Sequence, residues 1–313
     1  MAKLDEKEII SIFANKLGIS DLNDVVILGR DIVFKTDMLV ASTDMPRTMK
    51  AWQVARKSIV SCISDLAAKG IRPHAVMISL GIPRDCKRPY IKGLAEGFAI
   101  AANEFGIKIV GGDTNEACDL VIDCSMIGFA EGKVPTRSGA KPGDIVTISG
   151  RFGFPPAGLA ILLRNAISAS SVFRKQAIKS VLEPKPNQRF GLALARYFSS
   201  SIDSSDGLAI SLYELAGQSG VDIIIDNIPA VEGLDKFAYK NGLDIYELVF
   251  HGGEEYEIVA TIPQTKLRRA DGEARKAGIS LHVIGRVQRG SGYVFVRKKL
   301  LENRGYRHFY YKR

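Results

Sequence analysis

Helical and strand-like segments alternate along the whole chain, and glycine closes the clearest helices. Residues 5–17 carry Ile9, Ile10, Phe13 and Leu17 on one face and stop at Gly18. In residues 48–69, Trp52, Ala55, Ile59, Ile63 and Leu66 recur at threes and fours before Gly70, and residues 89–105 close at Gly106. Val25–Leu28, Ile32–Val40, Val76–Leu80, Ile107–Val110 and Leu120–Ala130 read as the strands between them. Such alternation is satisfied by layers of helix on sheet, so an all-helical bundle and an all-β sandwich are excluded.

The turn-rich run KVPTRSGAKPGD (Lys133–Asp144) interrupts the pattern, which then resumes. Ile145–Ser149 reads as a strand, followed by helices at 156–166, 170–181 and 187–198, a strand at Ser201–Asp203 and a helix at 207–217. Val221–Ile225, Tyr256–Thr261, Leu281–Arg286 and Gly292–Val296 read as further strands, with a helix at 265–277. With 313 residues, the expectation is two domains of α/β or α+β class, 1–140 and 141–313, the second with a mixed sheet.

At 46% apolar and 25% charged residues, the chain has the composition of an ordinary folded protein. No run approaches the ~18 apolar residues a spanning helix needs, and MAKLDEKEII has no apolar signal region, so neither a membrane partner nor secretion is expected. The net charge of +9 is uneven: residues 1–140 hold 18 basic and 17 acidic groups, residues 141–313 hold 25 and 17. Seven basic groups and one acidic lie in Arg297–Arg313, a basic tail with Tyr306, Phe309, Tyr310 and Tyr311 interleaved. A tail rather than a stripe across a domain argues against nucleic acid and for help in binding a small anion. Cys62, Cys86, Cys118 and Cys124 make neither a C-x-x-C nor a disulfide framework, and the four histidines are scattered, so a cytoplasmic compartment and no zinc are expected.

What recurs instead is aspartate at element ends beside glycine or a small hydroxyl residue: Asp31, Asp37, Asp65, Asp113, Asp203 and Asp206. Small neighbours allow close approach of a ligand, and carboxylates without His or Cys select hard cations such as magnesium. Singly, each is as well read as a helix cap or turn former, Asp206 before Gly207 most of all. Asp65 stands apart: it falls inside a helix, where aspartate is unfavourable, among Ser58, Ser61, Cys62, Ser64 and Ala68, a face with room for a cation or phosphate. Gly150–Gly158 is a glycine-rich turn into a helix, a weak anion signal, and Arg137 is either a phosphate partner or a surface arginine in a turn. Walker A, G-x-G-x-x-G and protein-kinase motifs are missing from the sequence.

Seven strings carry a resemblance. TDMLV (Thr36–Val40), SDLAA (Ser64–Ala68), GGDT (Gly111–Thr114), RSGAKPGD (Arg137–Asp144), SDGL (Ser205–Leu208), HGGE (His251–Glu254) and GYRHF (Gly305–Phe309) occur in the order seen in thiamine-monophosphate kinases. The chain resembles that family over nearly its whole length, within a superfamily that includes aminoimidazole-ribonucleotide synthetase, selenophosphate synthetase and a hydrogenase-maturation enzyme. The resemblance implies ATP as co-substrate, several Mg2+ ions, and a homodimer whose N-terminal sheets close into a shared barrel. It implies Asp31, Thr36, Asp37, Asp65, Asp113, Asp203 and Asp206 as metal ligands, and Gly112, Asp113, Arg137 and Ser205 on the nucleotide. Asp44, Glu254 and Tyr306 fall on the thiamine-phosphate side.

The chain departs from the family pattern at Arg30 within Gly29–Asp31, at Lys35 before Thr36, at Asp44 in a histidine position and at Glu255 after Gly253-Glu254. Arg30 and Lys35 bring cations to a metal cluster, where they can stand in for an ion. The implied reaction is phosphorylation of thiamine monophosphate to the diphosphate by in-line transfer from ATP. A phosphate monoester is already largely ionised at pH 7, so no catalytic general base is expected. Two other readings stay open: another ATP-using superfamily member, against which the lack of a Cys before Cys62 counts for selenophosphate synthetase, and a non-catalytic nucleotide- or RNA-binding relative.

Overall fold

A computed structural model describes residues 4–19, 23–168 and 170–309. Tyr310 and Tyr311 of the tail lie outside the described residues. The first part of the chain builds α1 (Glu6–Leu17), β1 (Val26–Leu28), β2 (Ile32–Val40), α2 (Ala41–Asp44), α3 (Ala51–Ala68), β3 (Arg72–Ile82), α4 (Arg88–Phe105), β4 (Lys108–Glu116) and β5 (Val121–Phe129). Its sheet has the order β1-β2-β5-β3-β4, with β3 and β4 parallel and the other pairs antiparallel. The strand expected to stop at Val110 continues as β4 through Gly111, Gly112 and Asp113. A Cβ on Gly112 would lie 1.8 Å from the Ile78 carbonyl oxygen, so only glycine lets β4 pair this closely with β3.

One face of this sheet is core. Val33 and Leu39 of β2, Val76 and Ile78 of β3, and Ile122, Cys124 and Met126 of β5 point at α3 and α4 and are buried. The other face is bare: Ile32, Phe34, Met38, Met77 and Phe129 are all exposed, Met38 by 59%. The sheet is open, ending at β1 and β4, so the expected barrel is not closed within one chain. The helix α1 carries its apolar side into solvent as well, with Phe13 and Leu17 exposed.

The remainder builds β6 (Asp144–Ile148), α5 (Phe154–Arg164), α6 (Ser171–Leu182), α7 (Gln188–Leu194), β7 (Ser200–Ser204), α8 (Leu208–Ser219), β8 (Val221–Ile225), α9 (Leu234–Asn241), β9 (Glu257–Pro263), α10 (Gln264–Lys276), β10 (His282–Arg289), β11 (Val294–Val296) and β12 (Lys299–Leu300). A 3-10 turn at Ala195–Tyr197 prolongs α7, and a π-helical turn spans Glu247–His251. These strands form a mixed sheet of order β12-β11-β8-β10-β6-β9-β7 around a second core that includes Val146, Ile148, Leu212, Ile223, Phe250 and Ile284.

The helix α3 joins the two cores. Its first half packs on β2 and β5, and its end meets α7, β7 and β9 of the second sheet. From Gln53 to Ala68 only Ser61 escapes full burial. Of the small residues expected to leave room for a ligand, Ser64 turns to the Asp203 carboxylate, while Ser58, Ser61 and Cys62 bond within the fold. Ser58 and Ser61 hydroxyls donate back to the Ala55 and Ser58 carbonyls, and the Cys62 thiol donates to the Cys124 carbonyl. At the far end a Cβ on Gly191 of α7 would lie 1.7 Å from the Ala67 carbonyl oxygen.

Candidate active site

Three buried carboxylates meet where α3 passes β7. Asp65 sits one turn before the end of α3, Asp203 on β7 and Asp24 just ahead of β1, and one oxygen of each lies within 4.8 Å of the others. Like charges gathered in a poorly hydrated place must be balanced. Lys35 Nζ, reaching in from β2, is 2.6 Å from Asp65 Oδ2. Lys69 Nζ is 2.6 Å from Asp24 Oδ2 and donates to the Ser201 carbonyl at 2.5 Å. Arg137 donates from Nε to Asp24 Oδ1 at 2.6 Å and also pairs with Glu214 at 3.6 Å. It is thus neither a free phosphate ligand nor a bare surface arginine. Among the described residues the Asp203 carboxylate receives only the Ser64 hydroxyl, at 2.9 Å.

The titration of the three acids follows this uneven balance. Burial raises the pKa of Asp24, but Lys69 and Arg137 outweigh it and hold it at about 2. Burial lifts Asp65 to about 6 against the pull of Lys35, with Asp24 and Asp37 adding to the rise. Burial, then Asp65 and Asp24, push Asp203 well above the usual carboxylate range. Burial disfavours the Lys35 ammonium, yet Asp65 and Asp37 overcome that and raise its pKa. The cluster is short of positive charge on the Asp65–Asp203 side, and its donors are all hard oxygens, which fits magnesium.

Asp37 and Asp206 border this cluster. Asp37 follows Lys35 by two residues on β2 and shares its inward face. Asp206 lies in the turn after β7 beside the exposed Ser205; burial and Glu6 raise its pKa to about 6 while His308 opposes. Asp206 does not cap α8: Gly207 holds the N-cap position, without a side-chain cap.

Asp44, Glu254 and Tyr306 come together on the far side of Asp206. Glu254, at φ 70°, donates its amide to the Ser205 carbonyl at 2.6 Å. The Lys57 ammonium, buried on α3, stands 2.5 Å from Glu254 Oε2 and donates to the Asp44 carbonyl at 2.6 Å. The Tyr306 amide donates to the Asp206 carbonyl at 2.9 Å, and its ring meets His308 edge-on with centroids 5.0 Å apart. His308 Nε2 is 4.0 Å from Asp44 Oδ1. Burial, then Asp44 and Glu254, raise the Tyr306 phenol pKa. The result is a partly exposed cluster of an aromatic ring, two carboxylates and a fixed ammonium.

The other expected residues lie elsewhere. Asp31 is exposed in the β1–β2 turn, six residues and roughly 20 Å of extended strand from Asp37. Thr36 faces the bare side of the sheet, its hydroxyl on Asp123 at 2.9 Å and near Ser125 at 3.1 Å. Asp113 pairs in register with Ser79, on that same bare side. By strand order Thr36 and Asp113 are three spacings apart, roughly 14 Å. Sequence reasoning missed Asp24, Lys57, Lys69 and His308. Lys57 and Lys69 left a signal, since the first falls among apolar positions of a helix with little solvated surface and the second caps its end behind Leu66-Ala67-Ala68.

The N-terminal domain of AIR synthase related proteins matches residues 22–130. The thiamine-monophosphate kinase of Nitrosopumilus maritimus is 43% identical over 314 residues, covering 99% of this chain and 100% of the relative. That of Pyrococcus horikoshii is 34% identical over 96% of this chain and 94% of the relative. The chain belongs to the thiamine-monophosphate kinase family. A solved structure of the family, AaThiL complexed with AMPPCP and TMP, superposes with a TM-score of 0.88 at 27% identity over 99% of both chains. The hydrogenase maturation protein HypE, at 21% identity and a TM-score of 0.66 over 88% of this chain and 90% of its own, shares the fold.

Proposed function

We infer that this chain is a kinase that transfers the terminal phosphoryl group of ATP to thiamine monophosphate, giving ADP and thiamine diphosphate. Family membership over the full chain supports the reaction, and a relative of the same fold is known in complex with an ATP analogue and TMP. The observation in this molecule that carries it is the Asp44–Lys57–Glu254–Tyr306 cluster, set beside the Asp65–Asp203–Asp206 carboxylates.

Each residue of the cluster suits part of the acceptor. The Tyr306 ring offers its face to the cationic thiazolium, a contact worth ~0.5–2 kcal/mol. Glu254 accepts from the aminopyrimidine while Lys57 fixes its carboxylate. Arg307 and its basic neighbours draw in the phosphate. Asp37, Asp65, Asp203 and Asp206 are the residues that would hold magnesium, which when bound neutralises phosphate oxygens in phosphoryl transfer. The acceptor oxygen is already ionised, so no side chain need remove a proton from it.

Residues 1–140 and 141–313 serve as two domains, with the transfer at their junction. The bare face of the first sheet supports a homodimer: a second copy would cover Phe34, Met38 and Phe129 and bring its own Thr36, Gly112 and Asp113 against the nucleotide. Asp31 remains a candidate ligand only through such a copy, given its distance from Asp37. Four free thiols suit a reducing cytoplasm. Incubation with ATP, Mg2+ and thiamine monophosphate should give a product heavier by one phosphoryl group in mass spectrometry. ATP consumption with unchanged thiamine monophosphate would refute the reading.

A further inference from the structure

Lys35 stands on the covered side of a central strand. The strand β2 is paired by β5 along its whole length and by β1 as far as Phe34, and Val33 and Leu39 on the same face as Lys35 are buried. A lysine there has no short route to solvent, and its side chain is only 17% exposed. Its ammonium lies 2.6 Å from Asp65 Oδ2, in the cluster where oxygens of Asp24, Asp65 and Asp203 come within 4.8 Å of one another. A divalent ion bound among those oxygens would sit about 2.0–2.6 Å from each. It would compete with the ammonium for Asp65. Lys69 and Arg137 are both committed to Asp24, so neither duplicates Lys35. Arg30 is exposed in the β1–β2 turn and takes no part.

We propose that the Lys35 ammonium is the resident cation of Asp65, filling a position in the Asp24–Asp65–Asp203 cluster that a divalent ion takes when the ammonium is removed. The wild-type chain then binds one divalent ion fewer than its Lys35→Met variant. The other Asp65 oxygen and the carboxylates of Asp203, Asp37 and Asp206 stay available for ions that arrive with a nucleotide. The proposal deepens the metal-site part of the kinase reading, but its test needs neither ATP nor thiamine monophosphate, so either can fail without the other.

Mn2+ binding to the full-length chain, counted by the electron paramagnetic resonance of free Mn2+, tests it. Lys35→Met should bind one Mn2+ per chain more than wild type, Lys35→Arg should match wild type, and Lys35→Met with Asp65→Asn should lose the added ion. Because Lys35→Met leaves a buried carboxylate without its partner, it should melt below wild type in chelator and regain most of that loss in Mn2+. If Lys35→Met does not fold in chelator, recovery of folded chain on adding Mn2+ gives the same answer. Equal Mn2+ counts in wild type and Lys35→Met overturn the proposal. So does an added ion that survives Asp65→Asn, or a melting deficit that Mn2+ does not restore.

Discussion

Tyr306 joins the Asp44–Lys57–Glu254 cluster from an irregular segment, anchored by its amide on Asp206 and by its ring against His308. Because it holds no core position, its removal should be felt in binding rather than in folding. Tyr306→Ala should raise KM for thiamine monophosphate about tenfold, the equivalent of ~1.4 kcal/mol, and leave KM for ATP nearly unchanged. Steady-state kinetics with each substrate varied would expose a packing role as an equal loss of both. Glu257 lies deeper: its carboxylate accepts from the Ser149 hydroxyl and from Asn187 at 2.8 Å, and burial lifts its pKa to about 7. A carboxyl whose folded pKa lies above its unfolded value costs stability as pH rises from about 4.5 to 7, and the cost persists above that. Glu257→Gln should therefore flatten the fall of melting temperature between pH 5 and pH 8, and an unchanged profile would count against a buried charge. At this scale the sequence pointed to Glu254 and Tyr306 through the HGGE and GYRHF strings and to Asp44 through its departure from a histidine, and the fold brings the three near Lys57 and Asp206. The sequence hid Asp24 and Lys57, whose roles come from contacts 113 and 197 residues away, with Arg137 and Glu254.

Between elements, the tightest joint is α7 on the end of α3. Gly191 allows it, since any Cβ there would overlap the Ala67 carbonyl. Gly191→Ala should push α7 off α3 and destabilise the fold by about 1–3 kcal/mol, the usual cost of overpacking. Urea unfolding would measure it, and a neutral result would mean that the joint is loose. Periodicity showed most helices and strands, because their apolar repeats are regular and glycines such as Gly18, Gly70 and Gly106 end them. It did not show α9, whose eight residues, LDKFAYKN, bury only Leu234, Phe237 and Ala238. Nor did it show the π-helical turn at Glu247–His251, which has the wrong period for either template. The continuation of β4 through two glycines was hidden because glycine is disfavoured in strands unless another backbone approaches closely, as that of Ile78 does here.

For the molecule as a whole, the bare face of the first sheet decides assembly. An apolar sheet face of this extent is stable in water when covered, and a second copy covers it most simply. The chain should run as a dimer in light scattering at micromolar concentration. Phe34→Glu with Met38→Asp should give monomers that melt lower, while a wild-type monomer would refute the assembly. The position of α3 has a consequence for how the chain comes apart. Since the helix is walled in by one sheet along its length and by the other at its end, neither half can melt and leave the other whole. Heating should produce one calorimetric transition rather than two, and the α3 amides should be the slowest in the molecule to exchange with deuterium, opening only through global unfolding.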